Sequence, residues 1–117
     1  MAKIITLPQN IDERGELTVI ENVFQNDYKR IYFIKNADGF IRGKHRHIES
    51  SQILTCIQGS VKVLVTNDFQ EQIYNLDSCQ KSLVLNPEDW HKMYDFNDNA
   101  ILLVASNTKF DKEDYIQ

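Results

Sequence analysis

The sequence predicts an all-β barrel or two-sheet roll, on three observations. Short segments of alternating apolar and polar residues recur along the chain, and such alternation turns one side of a strand toward a core. Asn, Asp, Gly and Pro fall between those segments at close intervals, which is turn chemistry. A helix of any length is hard to find, because no long stretch carries the helical apolar period. About ten short strands in a single domain spanning residues 1–117 leave closure as the economical arrangement, since closure removes unpaired strand edges.

The elements follow in order. Lys3 to Leu7 forms a first strand, ended by Pro8. Leu17 to Glu21 follows the turn signal Glu13-Arg14-Gly15. Lys29 to Lys35 is rich in β-formers and gives way to the loop residues Asn36-Ala37-Asp38-Gly39. A basic, histidine-bearing segment comes next. Ile53 to Ile57 and Val61 to Thr66 flank Gln58-Gly59-Ser60, a hairpin signal with glycine in the loop. Within the second of these, Val61, Val63 and Val65 share a face and are predicted to point inward. Asn67-Asp68 makes a turn, and Gln72 to Leu76, Ser82 to Asn86, His91 to Phe96 and Ile101 to Ala105 complete the series. Asn86-Pro87-Glu88-Asp89 is a polar turn before Trp90, and Phe110 to Ile116 has room for one helical turn.

Composition narrows the function classes. The net charge of -4 gives no basic footprint for nucleic acid. Local clusters such as Lys29-Arg30 and Arg42 to Arg46 suit a small anionic ligand better than a polyanion. The apolar run at the N-terminus is too short for a signal peptide and no segment approaches membrane-spanning length. With two cysteines and no secretory signal, the chain reads as a reduced, soluble, cytoplasmic protein in which Cys56 is a small core residue.

Chemistry concentrates between Gly39 and Gly59. His45 and His47 are two of the three histidines and stand one residue apart. In an extended segment they share a face, with Arg46 turned away. Taken alone, the pair reads equally as a metal pair, an incidental surface pair or an acid/base pair. A metal reading would recruit Gln52 and His91, with a neutral glutamine in place of the carboxylate such a site prefers.

The spacing Gly39, His45-x-His47, Gln52, Gly59 resembles the first motif of the cupins, with Gln52 where metal-binding members carry glutamate, and Pro87 to His91 resembles their second. A narrower likeness runs through Arg14 to Glu21, Lys29 to Ile34, Arg42 to His47, Gln58 to Ser60, Pro87 to His91, Leu102 to Ser106 and Asp114 to Ile116. In that order these segments resemble the nucleotide-sugar 3,4-ketoisomerases, cupins that convert dTDP-4-keto-6-deoxyglucose into a 3-keto isomer. The resemblance implies a cupin-type jelly-roll β-barrel, a homodimer paired through exchanged strands, a dTDP-sugar substrate, and no metal or other cofactor. It also implies a role in making dideoxy-aminosugars for surface glycans, and Arg14 with His91 resembles members whose product is galacto at C4.

Moving a keto group from C4 to C3 takes a proton from C3 and returns one to C4. Imidazole near its ordinary pKa of ~6.5 can do both. His47 is assigned as the base and His45 as its partner, with the reverse order open. Tyr32 and Arg42 are candidates to meet the developing enediolate charge. Arg14, Arg30 and Lys44 are candidates for the pyrophosphate, which guanidinium groups bind with paired hydrogen bonds. His91 either shapes the sugar pocket or closes the barrel wall. Strict alternation would turn Arg42 and Lys44 away from the histidine face, unless Gly43 permits a bulge.

Overall fold

A computed structural model describes residues 2–21, 23, 27–68 and 70–117. The described chain forms β1 (Lys3–Thr6), β2 (Gln9–Asp12), β3 (Gly15–Thr18), β4 (Arg30–Ile34), β5 (Arg42–His47), β6 (Gln52–Thr66), β7 (Glu71–Leu76), β8 (Lys81–Leu85), β9 (Trp90–Ser106) and β10 (Tyr115–Ile116). One 3₁₀ turn at Lys112–Asp114 falls where a helical turn was expected. The all-β, jelly-roll type architecture read from the sequence is the one adopted.

Two long strands form the spine. β6 and β9 pair antiparallel from Gln52 opposite Ser106 to Thr66 opposite Trp90. Around them an eight-stranded sheet runs in the order β1-β8-β6-β9-β5-β10, with β4 on β9 and β7 on β6, while β2 and β3 make a separate two-stranded hairpin. Val61, Val63 and Val65 are buried as expected, each contributing about 1.5–3 kcal/mol of apolar burial. They pack with Leu54, Phe96 and Leu102 in one core cluster. Cys56 belongs to the same cluster, and both cysteines are free.

The expected hairpin at Gln58-Gly59-Ser60 does not form: β6 runs straight through it. The segments expected at 91–96 and 101–105 are likewise one strand, β9. Both strands bend at the same level, where their register shifts three times between Cys56 and Lys62. Gly59 has φ +70°, and a Cβ there would lie 2.3 Å from the Asn97 carbonyl oxygen and 2.9 Å from Ala100 Cα. Asp95, Asp98 and Asn99 opposite also adopt positive φ, which Asp and Asn tolerate better than most residues. Glycine is needed here for close approach of two backbones, rather than for a chain reversal.

β4 alternates cleanly. Arg30, Tyr32 and Ile34 turn inward, whereas Ile31 and Phe33 are each 61% exposed. That phase puts a cation and a phenol on the inner wall of the roll, in one cavity with His45.

Candidate active site

β5 lies against β9 with Arg42 opposite Met93 and Gly43 opposite Lys92, then slips so that His45 stands opposite His91. The slip is a bulge: Gly43 has φ +87° and Lys44 φ +67°. A bulge resets the two-residue alternation. Arg42, Gly43 and His45 therefore line one cavity of about 350 Å³, while Lys44 is exposed outside it. The bulge is what brings the guanidinium and the imidazole to the same face.

The rest of that cavity comes from β4 and the C-terminal segment. Arg30 and Tyr32 line it with Phe110 and Tyr115. The Arg30 guanidinium lies 4.9 Å from the Tyr32 ring centre and 5.4 Å from that of Phe110, and its Nη2 donates to Tyr115 Oη at 3.2 Å. Its Nε–H is buried and has no hydrogen-bond partner among the described residues. Gln52, 2% exposed, donates from Nε2 to Tyr32 Oη at 3.4 Å, so it holds the phenol. A larger hollow of about 710 Å³ by Arg46, Glu88 and Trp90 contains none of the histidines. Chemistry, not size, picks the smaller one.

Three imidazoles meet at its inner end. His45 is edge-on to His47 and to His91, with ring centres 5.0 Å apart in both cases, and His47 and His91 stack at 6.1 Å. Tyr115 packs on His45 at 4.8 Å and on His47 at 4.6 Å. His45 is part of the cavity wall; His47 is 3% exposed and sits behind it. His91 is 1% exposed, and its Nδ1–H donates to the Asp89 carbonyl at 3.1 Å, which leaves Nε2 with the lone pair. The nearest nitrogens of the trio lie within 4.8 Å of one another and could hold a divalent ion. The trio itself includes no carboxylate.

Burial lowers all three imidazoles. It is the largest cause for His45, reinforced by the neighbouring His47. For His47 burial again leads, opposed by the Asp114 carboxylate. His91 is pushed down to about 4 by burial, despite its bond to the Asp89 carbonyl. The lowering favours the uncharged rings, the form that can accept protons. Burial also raises the Tyr32 phenol above its ordinary value, so it stays a hydrogen-bond donor.

The structure brings His45, His47, His91, Tyr32, Arg30, Arg42 and Gln52 together. It does not bring in Arg14 or Lys44: Arg14 sits on the β2–β3 hairpin with Nη2 2.6 Å from Asp12 Oδ2, and its side chain is 85% exposed. Sequence reasoning assigned no site role to Asp114, Tyr115 or Phe110. The run Asp114-Tyr115-Ile116 was a visible motif, but only the pairing of β10 on β5, Tyr115 opposite His47, shows what it touches.

The profile of the family described as FdtA: WxcM-like, C-terminal matches residues 1–117. A TDP-4-oxo-6-deoxy-alpha-D-glucose-3,4-oxoisomerase of Aneurinibacillus thermoaerophilus is 34% identical over 118 residues, covering 98% of this chain and 85% of the relative. The crystal structure of QdtA, a sugar 3,4-ketoisomerase from Thermoanaerobacterium thermosaccharolyticum in complex with TDP, superposes with a TM-score of 0.93 at 34% identity, covering 98% of this chain and 86% of that one. A substituted form of QdtA holds TDP-4-keto-6-deoxyglucose, with a TM-score of 0.91 at 33% identity over 98% of this chain and 86% of that one. By a profile match over its whole length and by these relatives, the chain belongs to the FdtA, WxcM-like C-terminal family.

Proposed function

We propose that the protein is a nucleotide-sugar 3,4-ketoisomerase that converts dTDP-4-keto-6-deoxyglucose into the 3-keto isomer. The observation that carries this is the His45 imidazole, its pKa lowered by burial, on the wall of a cavity whose other walls supply two guanidinium groups and two phenols. The names of the relatives point to the same chemistry: one is a TDP-4-oxo-6-deoxyglucose oxoisomerase and another was crystallised with TDP-4-keto-6-deoxyglucose.

The reaction shifts one proton between carbons and one between oxygens. His45 takes the C3 proton, leaving an enediolate across C3 and C4, and imidazolium returns a proton to C4. The O3 proton ends on O4, so no net proton is gained or lost. Geometry favours His45 over His47 for the carbon-bound proton, because His45 reaches the cavity and His47 lies behind it. Tyr32 Oη, held by Gln52, donates to the enediolate oxygen. Arg30 and Arg42 take the pyrophosphate, where paired hydrogen bonds suit guanidinium. His91, fixed by the Asp89 carbonyl, shapes the sugar end, and the resemblance of Arg14 and His91 to galacto-producing members supports a product that is galacto at C4.

The working protein is a cytoplasmic homodimer supplying dideoxy-aminosugar synthesis for surface glycans. The β2–β3 hairpin supports the pairing, since it is a sheet of its own with Ile11 and Leu17 about three-fifths exposed. A second copy could bring Arg14 to a substrate that this copy leaves beyond its reach. Nucleic acid is not a partner. Among the described residues no helix is long and apolar enough to cross a membrane.

Product analysis by NMR after incubation with dTDP-4-keto-6-deoxyglucose, with and without chelator, tests the reaction and the configuration together. A 3-keto product in both arms is expected. Binding without conversion would make the protein a sugar-binding member instead, and activity lost to the chelator and restored by a divalent ion would establish a metal site on the imidazole trio.

A further inference from the structure

One buried carboxylate beside the histidines takes no part in the proton transfers above. Asp114 is 8% exposed and lies directly behind the histidines. Its two oxygens do different work. Oδ1 accepts the backbone N–H of Ile48 at 3.1 Å and of Glu49 at 2.7 Å. Oδ2 accepts His47 Nδ1–H at 2.9 Å and the Ser50 hydroxyl. Ser50 Oγ is held in turn by Thr108 Oγ1. Every donor faces a carboxylate oxygen, so the group is fully satisfied as an anion.

We propose that Asp114 is a positioning residue for the isomerase site, fixing His47 as the Nδ1–H tautomer so that its buried Nε2 lone pair is presented to the imidazole cluster beside His45. The inference rests on the ketoisomerase reading for its consequence, though not for its geometry. His47 Nε2 is buried and without a hydrogen-bond partner among the described residues. A bare acceptor in that place is costly unless something else fixes the proton on the other nitrogen. Asp114 does this from behind. It also places a fixed negative charge beside the His47 ring, one imidazole away from the imidazolium that His45 becomes during proton transfer. Burial alone would raise the carboxyl, but the Ser50 hydroxyl, the Glu49 N–H and His47 hold it below the ordinary carboxylate range.

The two backbone N–H groups make the test sharp. In Asp114→Asn they keep the amide oxygen on the Oδ1 side, so the amide NH₂ must face His47 Nδ1 and reverse the tautomer. The same logic governs the aspartate of the serine-protease triad. Histidine ¹⁵N NMR on the free protein at pH 8 reads the tautomer without substrate, and steady-state kinetics reads its consequence. In the parent protein His47 is expected to carry its proton on Nδ1. In Asp114→Asn the proton moves to Nε2 and kcat falls about 100-fold, with KM within about threefold, the size of loss typical when an orienting partner is removed. Ser50→Ala keeps the carboxylate and removes one donor, so kcat falls about tenfold. This variant decides the matter should Asp114→Asn not fold. A parent protein with His47 protonated at Nε2 overturns the proposal. A folded Asp114→Asn with unchanged tautomer or unchanged kcat also overturns it, as does a Ser50→Ala protein with unaltered kcat. If the tautomers behave as expected but no variant or parent isomerises the sugar, the ketoisomerase reading fails and the tautomer control stands.

Discussion

His45 stands edge-on to His47, ring centres 5.0 Å apart with 85° between planes, and of the two it is His45 that opens onto the cavity. The histidine on the cavity wall and the histidine bound to the Asp114 carboxylate are thus different residues, and their loss is expected to have different consequences. His45→Asn is expected to cut kcat by about 1,000-fold, within the range for a removed acid/base group, and His47→Asn by about 100-fold, as for a lost orienting neighbour. Turnover of dTDP-4-keto-6-deoxyglucose followed by NMR measures both. An unchanged rate in either variant would remove that histidine from the mechanism.

The pH profile follows from the direction of the His45 shift. Burial, then the neighbouring His47, lowers its pKa below 6.5, so the neutral base persists into mildly acidic solution. The acid limb of kcat/KM is expected to have its midpoint below pH 6.5. A midpoint above that value would show that the folded site stabilises imidazolium in the free enzyme.

His91 gives a stability prediction with a definite sign. In the unfolded chain it takes a proton near pH 6.5, whereas in the folded protein burial holds it down to about 4. Between those values the unfolded state binds the extra proton, so stability is full above pH 6.5 and declines as the pH falls toward 4. The loss amounts to roughly 3 kcal/mol. Urea unfolding at a series of pH values should show this slope, and His91→Gln should flatten it. Parallel slopes in the two proteins would place the acid sensitivity elsewhere.

Arg30 is held by Tyr115 Oη and stacked on Tyr32, which leaves its Nε–H buried and without a partner among the described residues. Arg30→Lys keeps the charge but loses the fork. KM is expected to rise about tenfold, roughly 1.4 kcal/mol of binding, with kcat little altered. Steady-state kinetics separates the two constants, and a selective fall in kcat would instead place Arg30 at the reacting carbons.

Gly59→Ala puts a methyl group 2.3 Å from the Asn97 carbonyl oxygen at a φ of +70°. Backbone must move at the bend shared by β6 and β9, at a cost of about 3 kcal/mol. Chemical denaturation measures it. A near-neutral substitution would mean that the bend relaxes easily.

Much of this was legible in the chain as written. The all-β class, the inward set Val61, Val63 and Val65 and the shared face of His45 and His47 follow from two-residue alternation, while the candidacy of Arg30, Tyr32 and Gln52 comes from the family resemblance carried by the ordered motifs. Alternation is built into the geometry of each extended residue, so it survives without knowledge of any neighbour.

What the sequence could not settle is what depends on a partner strand. Gln58-Gly59-Ser60 has the residues of a hairpin, yet β9 lies alongside it and the glycine admits that backbone instead of reversing the chain. The bulge at Gly43 and Lys44 turns Arg42 onto the histidine face, and it is defined only by the slip against β9. Asp114 comes within hydrogen-bonding reach of His47 although 67 residues separate them, because β10 pairs with β5. Local alternation determined which side chains point inward, except at Arg42, where the bulge reset it. Long-range pairing, which depends on what each strand finds beside it, decided which of those inward groups meet.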